Sequence, residues 1–334
     1  MERQYSNKGS FFQAAHGMRV YLFPRSGFAL ALLANVIWGT SFLASKVTLS
    51  VWGPFTASAL RFAVAIVGMI LVLPVLRLPI QFPRTRTAWW RVFLIGLSGF
   101  GLLYPLQLGG MTWIPSSLSA SIMLTSPLFV LVFATGFLGE QLPPTKLVAI
   151  GLGIVGGIIL VSPGNVTTAM WSVSTLPNLL KGFLLTIGAS LSLAVSVVVT
   201  RSASKDLDSR SLTFWSMCVG EAMLLPLALL EKHRSPVGAA SMSAAVIALI
   251  FLAIFCSVFA FLIWNRALAI TTPQEIASTM HIKTPVAVLL GIALAGEPLT
   301  VAIVFGTAMI SFAVWLSQWK PKAANMPSTI EVRS

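Results

Sequence analysis

The stretch Trp113-Ile-Pro-Ser-Ser-Leu-Ser-Ala-Ser-Ile-Met-Leu-Thr-Ser-Pro127 runs on through apolar residues to Gly139-Glu140. The same order returns in Thr271-Thr-Pro-Gln-Glu-Ile-Ala-Ser-Thr-Met-His-Ile-Lys-Thr-Pro285, which runs on to Gly296-Glu297. In each copy a proline follows Ser or Thr within an apolar run, and Gly-Glu closes the run. The two prolines stand 158 positions apart and the two glutamates 157. Upstream, Gly27 and Lys46 bound one apolar segment, and Gly182 and Arg201 bound another, at a shift of 155. A shift this constant marks two related halves.

Composition says what the halves are made of. Of 334 residues, 56% are hydrophobic and 9% charged, against about 25% charged in soluble domains. So few charges cannot cover a water-facing surface. Apolar windows bounded by charge, Pro or Gly predict ten transmembrane helices at 27–46, 54–76, 91–110, 116–138, 145–162, 181–200, 211–230, 243–264, 273–295 and 299–317. The fold class is therefore all-α, a membrane protein in a lipid bilayer. The expected organisation is a tail at 1–26, a five-helix repeat at 27–162, a connecting loop at 163–180, a second repeat at 181–317 and a tail at 318–334.

The net charge of +13 does not signal nucleic acid, because the basic residues sit between apolar runs and form no basic face. They distribute by side instead. With the amino terminus inside, sixteen of the 22 Lys and Arg fall on the cytoplasmic side and four outside, and Arg61 and Lys283 fall within spans. Both termini are thus expected in the cytoplasm, and the first 26 residues read as a tail with no cleavage site. Five is an odd number of crossings, so the second half must thread the membrane in the opposite sense. Inverted repeats of this kind build many secondary transporters, with the substrate site near the midplane where the halves meet.

Several segments together resemble the drug/metabolite transporter superfamily, specifically its EamA-type ten-helix members. They are Trp38-Gly39-Thr40-Ser41-Phe42 with Lys46 in span one and Leu60-Arg61-Phe62 in span two. Span four adds Ser126-Pro127 through Phe137-Leu-Gly-Glu140, before a Gly-rich span five, and span nine adds Thr284-Pro285 and Gly296-Glu297. The resemblance covers roughly residues 27–317. It implies transport of small metabolites, often efflux, through a central cavity lined mainly by spans one, three, four, six, eight and nine. It supplies no particular substrate.

Charge inside hydrocarbon costs at least about 2.5–3.5 kcal/mol on insertion scales and so marks function or a partner. Lys283 and Glu221 each stand ten residues from a cytoplasmic span start, Pro273 and Ser211. At 1.5 Å per residue both lie about 15 Å into a core about 30 Å thick. Two readings stand: Lys283 draws a substrate anion into the cavity while Glu221 pairs with it or titrates, or the two form a structural salt bridge. His281 is two residues from Lys283, about 200° around a helix, and is either a proton relay or, more often in such a place, a packed histidine. Pro127 and Pro285 each remove a backbone donor, which makes them gating hinges or static kinks relieved by Ser126 and Thr284.

Ser121 and Thr125 in span four, and Ser192 and Ser196 in span six, line a cavity or simply pack helices closely. Trp38, Ser41, Tyr104, Gln107 and Asn265 are the expected wall and polar handles of the site. Arg61 reads as snorkelling to outer headgroups, or as sharing an outer vestibule with Lys46. Glu140 and Glu297 read as structural loop residues that gate by pairing with bases. Gly151-x-Gly153-x-x-Gly156 fits a dinucleotide pattern but follows no strand, and Gly153 and Gly157 are expected at a close helix contact. Asn165-Val-Thr167 is a sequon on the outer side. Cys218 and Cys256 lie in apolar segments and define neither disulfide nor metal spacing.

No P-loop supplies ATP drive, the two aspartates Asp206 and Asp208 share one loop, and no metal or other cofactor is expected. The protein reads as a secondary transporter of the cytoplasmic (inner) membrane and not as an enzyme. It is expected to move small metabolites, amino acids or organic anions, outward and with proton coupling as an option, by alternating access. The alternatives are a passive channel and, less in keeping with so few buried polar groups, a membrane-embedded enzyme.

Overall fold

Each apolar window becomes a helix in the computed structural model, which describes residues 26–138, 144–161, 176–203, 207–232, 238–270 and 279–318. The first half contributes α1 (Gly27–Thr48), α2 (Pro54–Val75), α3 (Arg86–Met111), α4 (Ser116–Leu138, broken at 124–125) and α5 (Pro144–Val161). The second contributes α6 (Leu176–Ala203), α7 (Ser209–Leu230), α8 (Ala239–Ile270), α9 (Met280–Ala295) and α10 (Val301–Gln318). Eight are long and apolar enough to cross a membrane, and α5 and α9 are shorter apolar helices. There is no strand among the described residues. The tails, Glu140, the Asn165 sequon, Asp206 and the lead-in Thr271–Ser278 lie outside the described residues.

Helix ends follow local chemistry. α1 begins at Ser26, whose Oγ accepts from Ala29 N, and α3 begins five residues before its expected start because Thr85 Oγ1 accepts from Ala88 N. The outward faces carry exposed Val67, Leu71, Ile158, Leu184, Ile247 and Phe305, an apolar exterior suited to lipid and not to water.

Packing repeats between the halves. α1 lies on α8 and α9, as α6 lies on α3 and α4, and α2 meets α7, α4 meets α9 and α5 meets α10. One end of the bundle gathers the ends of α1, α3, α7 and α9 with the starts of α2, α4 and α6. Lys46 Nζ, near the end of α1, donates to the carbonyls of Met111 and Ile114 at the end of α3. Lys181 Nζ in α6 sits 4.5 Å from the ring of Trp113, and Glu231 and Glu297, after α7 and α9, reach the starts of α2 and α4. Helices that correspond between halves therefore run oppositely: α1 ends where α6 starts, and α2 starts where α7 ends.

Two features share this symmetry and leave no mark in the hydropathy pattern. α3 widens to i→i+5 hydrogen bonding over Leu97–Leu102, and α8 does so over Leu252–Phe259. A wide turn disturbs the regular ladder and exposes carbonyls to outside donors. Ser98 O accepts from Ser192 Oγ of α6 at 2.7 Å, and Cys256 O accepts from Trp38 Nε1 of α1 at 2.9 Å. A second matched pair links first and fourth helices across the halves: Asn35 Nδ2 donates to Thr279 Oγ1 at 3.0 Å, and Thr125 and Ser190 join hydroxyls at 3.0 Å. Asn35 and Ser190 stand 155 positions apart, Thr125 and Thr279 154 apart.

α5 and α10 touch backbone to backbone. A Cβ on Gly156 would lie 2.7 Å from Ile310 Cγ1 and 3.1 Å from Gly306 O, and a Cβ on Gly306 3.0 Å from Gly156 O. Gly157, expected at this contact, faces open space instead, because the residue beside it on the helix already points at α10. Gly306→Val is expected to lower stability by about 1–3 kcal/mol, seen as an earlier thermal unfolding in detergent. Gly157→Ala is expected to leave it in place.

Candidate functional site

A continuous row of aromatic rings lies where α1, α2 and α3 meet α8. Trp38 sets its ring edge against Phe261 at 5.4 Å and beside Trp264 at 5.2 Å, held by its bond to the wide turn of α8. Phe261 meets Phe100 at 6.2 Å, and Phe62 packs edge-on to Phe100 at 5.3 Å and to Tyr104 at 4.7 Å. The wide turn of α3 carries Phe100 and ends just before Tyr104. The two widened turns therefore both feed this wall.

A cation stands at each end of it. Lys283 Nζ lies 5.9 Å from the Trp38 ring centroid, and among the described residues it makes neither an ion pair nor a hydrogen bond. Arg61 is 3% exposed, with its guanidinium 4.6 Å from the Tyr104 centroid and 5.5 Å from that of Phe62. Its Nε donates to Ser257 Oγ at 3.0 Å, and Ser257 Oγ in turn donates to Leu252 O inside the wide turn. No carboxylate meets it among the described residues. Ring faces are weak partners for a charge, worth about 0.5–2 kcal/mol, far less than a carboxylate. Arg61 thus points inward; it neither snorkels nor lines an outer vestibule, because Tyr104 and Ser257 offer it a place that a single-helix reading does not show.

Glu221 does not stand beside Lys283. α9 packs on α1 and on the start of α4, whereas α7 packs on α2, on α3 and on the end of α8, and no ion pair joins Glu221 to Lys283. Equal depth along two helices does not make them neighbours. Glu221 Oε2 is buried without a hydrogen-bond partner.

Of the other expected residues, Tyr104 and Trp38 belong to the wall, and Gln107, buried, lies one turn beyond Tyr104 on the same helix. Ser41 Oγ bonds back to Trp38 O. Ser192 holds the wide turn of α3, and Ser196 is buried against Gly99 in that turn. Thr125 is committed to Ser190. Ser121 Oγ donates to Ser117 O and accepts from Thr307 Oγ1 of α10, and Asn265 Oδ1 accepts from Ser209 Oγ at the start of α7. These last three join helices and do not face the wall. His281 sits in a tight turn, Met280–Ile282, just before Lys283.

The prolines stand at breaks, not in continuous helix. Before Pro127 the chain switches to i→i+3 bonds, Leu124 N to Ser121 O and Thr125 N to Ile122 O. Pro285 is the third residue of the α-helix that follows the 280–282 turn. Thr284 Oγ1 ties this point to Ala120 O of α4 at 3.2 Å.

Two grooves stand out on the molecule. One, of about 470 Å³, is lined by Leu106, Pro177, Leu180, Lys181, Leu184 and Leu185; the other lies along Leu73–Ile80. Both are peripheral. Neither of them is the central cavity expected between the halves.

The end of the bundle where α1 finishes is closed by carboxylates. Gly296, at φ 64°, turns the chain out of α9 in a left-handed conformation that glycine adopts freely. Glu297 then accepts from Ser116 N at 2.7 Å, Ser116 Oγ at 2.8 Å and Ser117 N at 2.9 Å. Glu231 likewise accepts from Phe55 N and Thr56 N at the start of α2. These two acids of the second half, Glu231 and Glu297, cap helices of the first, where the helix dipole favours negative charge. Among the described residues Glu297 meets no base, contrary to its expected role. Burial would raise its pKa, but the hydrogen bonds of Ser117 and Ser116 outweigh burial and hold it below the usual carboxylate range. A lowered folded-state pKa means that the contact stabilises above the ordinary pKa of about 4.3 and is lost as the pH falls through the folded-state value. Acid titration of detergent-solubilised protein is therefore expected to narrow the difference in unfolding temperature between wild type and Glu297→Gln. A difference that is constant down to the acid limit contradicts the cap.

Comparison with known proteins places this architecture. The model of the EamA-like transporter family matches residues 25–162 and again 180–319. An uncharacterized transporter of Archaeoglobus fulgidus is 27% identical over 76% of this chain and 83% of its own length. The uncharacterized inner membrane transporter YedA of Escherichia coli K12 is 25% identical over 91% of this chain and 95% of its own. A solved crystal structure shares the fold at a TM-score of 0.61, with 19% identity, over 88% of this chain and 97% of that one.

Proposed function

This chain belongs to the EamA-like transporter family, and from that premise we propose that it is a secondary carrier exporting small amino acids or related organic anions. As a multi-pass membrane protein of a transporter family it has no call for a catalytic centre. Lys283 carries the proposal: a cation at the junction of α1 and α9, over Trp38, with no partner of its own among the described residues. An intramembrane charge of this kind is held at a cost that a substrate offsets.

Alternating access follows from the opposed threading. The two halves would rock about the aromatic wall, exposing it first to one side and then to the other. The Glu231 and Glu297 caps support a reading in which the α1-finishing end is the closed one, with Pro127 and Pro285 as the hinges. Glu221 and His281 are the groups available for proton coupling. By analogy with the inner membrane relative in E. coli, and from the bias of Lys and Arg, the protein would lie in the cytoplasmic membrane with both termini inside.

The test is reconstitution into proteoliposomes with radiolabelled amino acids and organic acids, with and without a pH gradient. Saturable counterflow supports a carrier. Flux that rises linearly with concentration and shows no counterflow indicates a channel and overturns the proposal.

A further inference from the structure

The wall carries a cation at each end, and among the described residues neither cation forms an ion pair with a carboxylate. Among the described residues Asp208 pairs with Arg210, Glu231 and Glu297 are consumed by helix starts, and Glu221 sits on a helix that does not touch α9. No described carboxylate forms an ion pair with Arg61 or Lys283, although α7, which carries Glu221, packs on the helices of Arg61 and Tyr104. Arg61 uses one of its five N–H donors, on Ser257, and no described group accepts from the rest. A guanidinium that is 3% exposed, without a carboxylate, is costly. A planar fork is also the group best matched to a carboxylate in two-point contact.

We propose that Arg61 is a second anion-recognising residue of the transport site, opposite Lys283, and that the site selects a compact organic anion with a flat apolar body over the zwitterion of the same shape. In the resting state the faces of Tyr104 and Phe62 stand in for the missing anion. When the wall opens, the substrate body lies against the rings, and its carboxylate replaces the ring contacts of Arg61. An amino acid would bring the same carboxylate but also an ammonium into a site whose two described charges are both positive. This selectivity rests on the carrier reading above, and one experiment separates the two.

Full-length protein in proteoliposomes is offered two bodies, each as anion, zwitterion and cation: phenylpyruvate, phenylalanine and phenethylamine, then 2-oxoisovalerate, valine and isobutylamine. The expected result is saturable counterflow for the anion of at least one body, half-saturating at a concentration about ten-fold or more below that of its zwitterion, with the cation inert. Arg61→Gln is expected to erase that preference, Arg61→Lys to restore part of it, and Ser257→Ala, which keeps the guanidinium, to retain it. Binding is read in parallel as ligand protection against thermal unfolding, which needs no transport. Counterflow of zwitterions without anions overturns the anion selectivity and leaves the carrier standing, as does a folded Arg61→Gln protein with unchanged preference. If Arg61→Gln does not fold, the wild-type charge series and Ser257→Ala decide. Absence of counterflow for every solute of a broad panel overturns the carrier reading itself.

Discussion

Lys283→Gln is expected to lower kcat/KM for saturable transport by about 100-fold, while the protein unfolds no earlier than wild type. The two halves of this expectation come from the same observation. Lys283 makes no ion pair and no hydrogen bond among the described residues, so its removal costs only the ring contact with Trp38 there. It does remove a charge held against an indole face in an apolar setting, which costs stability as it stands. The loss in transport reflects a charge-assisted contact to substrate, worth about 1.5–3 kcal/mol. A structural lysine would behave in the opposite way, with an earlier unfolding and a proportionate loss of folded transporter. Counterflow normalised to folded protein, beside thermal unfolding in detergent, separates the two.

Gly39→Leu is expected to cost about 3 kcal/mol and to take transport with it. A Cβ at this position would stand 2.7 Å from Val286 Cβ and 2.8 Å from Lys283 O. The second of these is backbone, which cannot rotate out of the way, so α1 and α9 must separate. The residues on either side of that contact are Trp38 and Lys283, so the site opens along with the packing. Gly136→Ala, at a position where an added Cβ meets nothing within 4 Å, is the control and is expected to change neither property. Equal unfolding temperatures for Gly39→Leu and wild type would show that the two helices are not in contact at this point.

What the sequence discloses and what it withholds divide along a physical line. The ten helices are legible because each must present about 20 apolar residues to lipid, and the windows at 54–76 and 211–230 match Pro54–Val75 and Ser209–Leu230 closely. The opposed threading is legible because it follows from an odd number of crossings. Lys283 is legible as a charge in an apolar run, and Trp38 and Tyr104 as aromatic residues within spans. Partnership between helices is another matter. Rise per residue gives depth but not which helix lies alongside, so Glu221 was expected beside Lys283 and stands elsewhere. Arg61, seven residues into α2, lies within reach of headgroups by length alone; only the presence of Ser257 and Tyr104 turns it inward. Asn265 looks like a polar handle in sequence and proves to be a clasp on Ser209. The wide turns of α3 and α8 have no periodic signature, although Ser98-Gly-Phe-Gly101 does place two glycines where one of them forms.

The role of the caps is similarly hidden. Glu297 belongs to a repeated Gly-Glu, and the repeat shows that it sits at a helix end. Its ligands, the first amides of α4, are 180 positions away and come into reach only because the second half is inverted onto the first. Inversion also explains why side-chain bonds join the halves at matched places: Trp38 to Cys256 is mirrored by Ser192 to Ser98, and Asn35 to Thr279 by Ser190 to Thr125. Alternating access as proposed would move the two halves against each other across these contacts.

That movement is the most direct measure of the whole account. In a background lacking Cys218 and Cys256, spin labels at Ser50 and Leu299 report the end where α1 finishes, and labels at Arg84 and Arg266 report the opposite end. Each pair joins the first half to the second. Addition of a transported solute is predicted to change the two distances in opposite directions, one end opening as the other closes. Two distances that widen together, or one that shifts while the other stays fixed, would contradict alternating access by opposed halves.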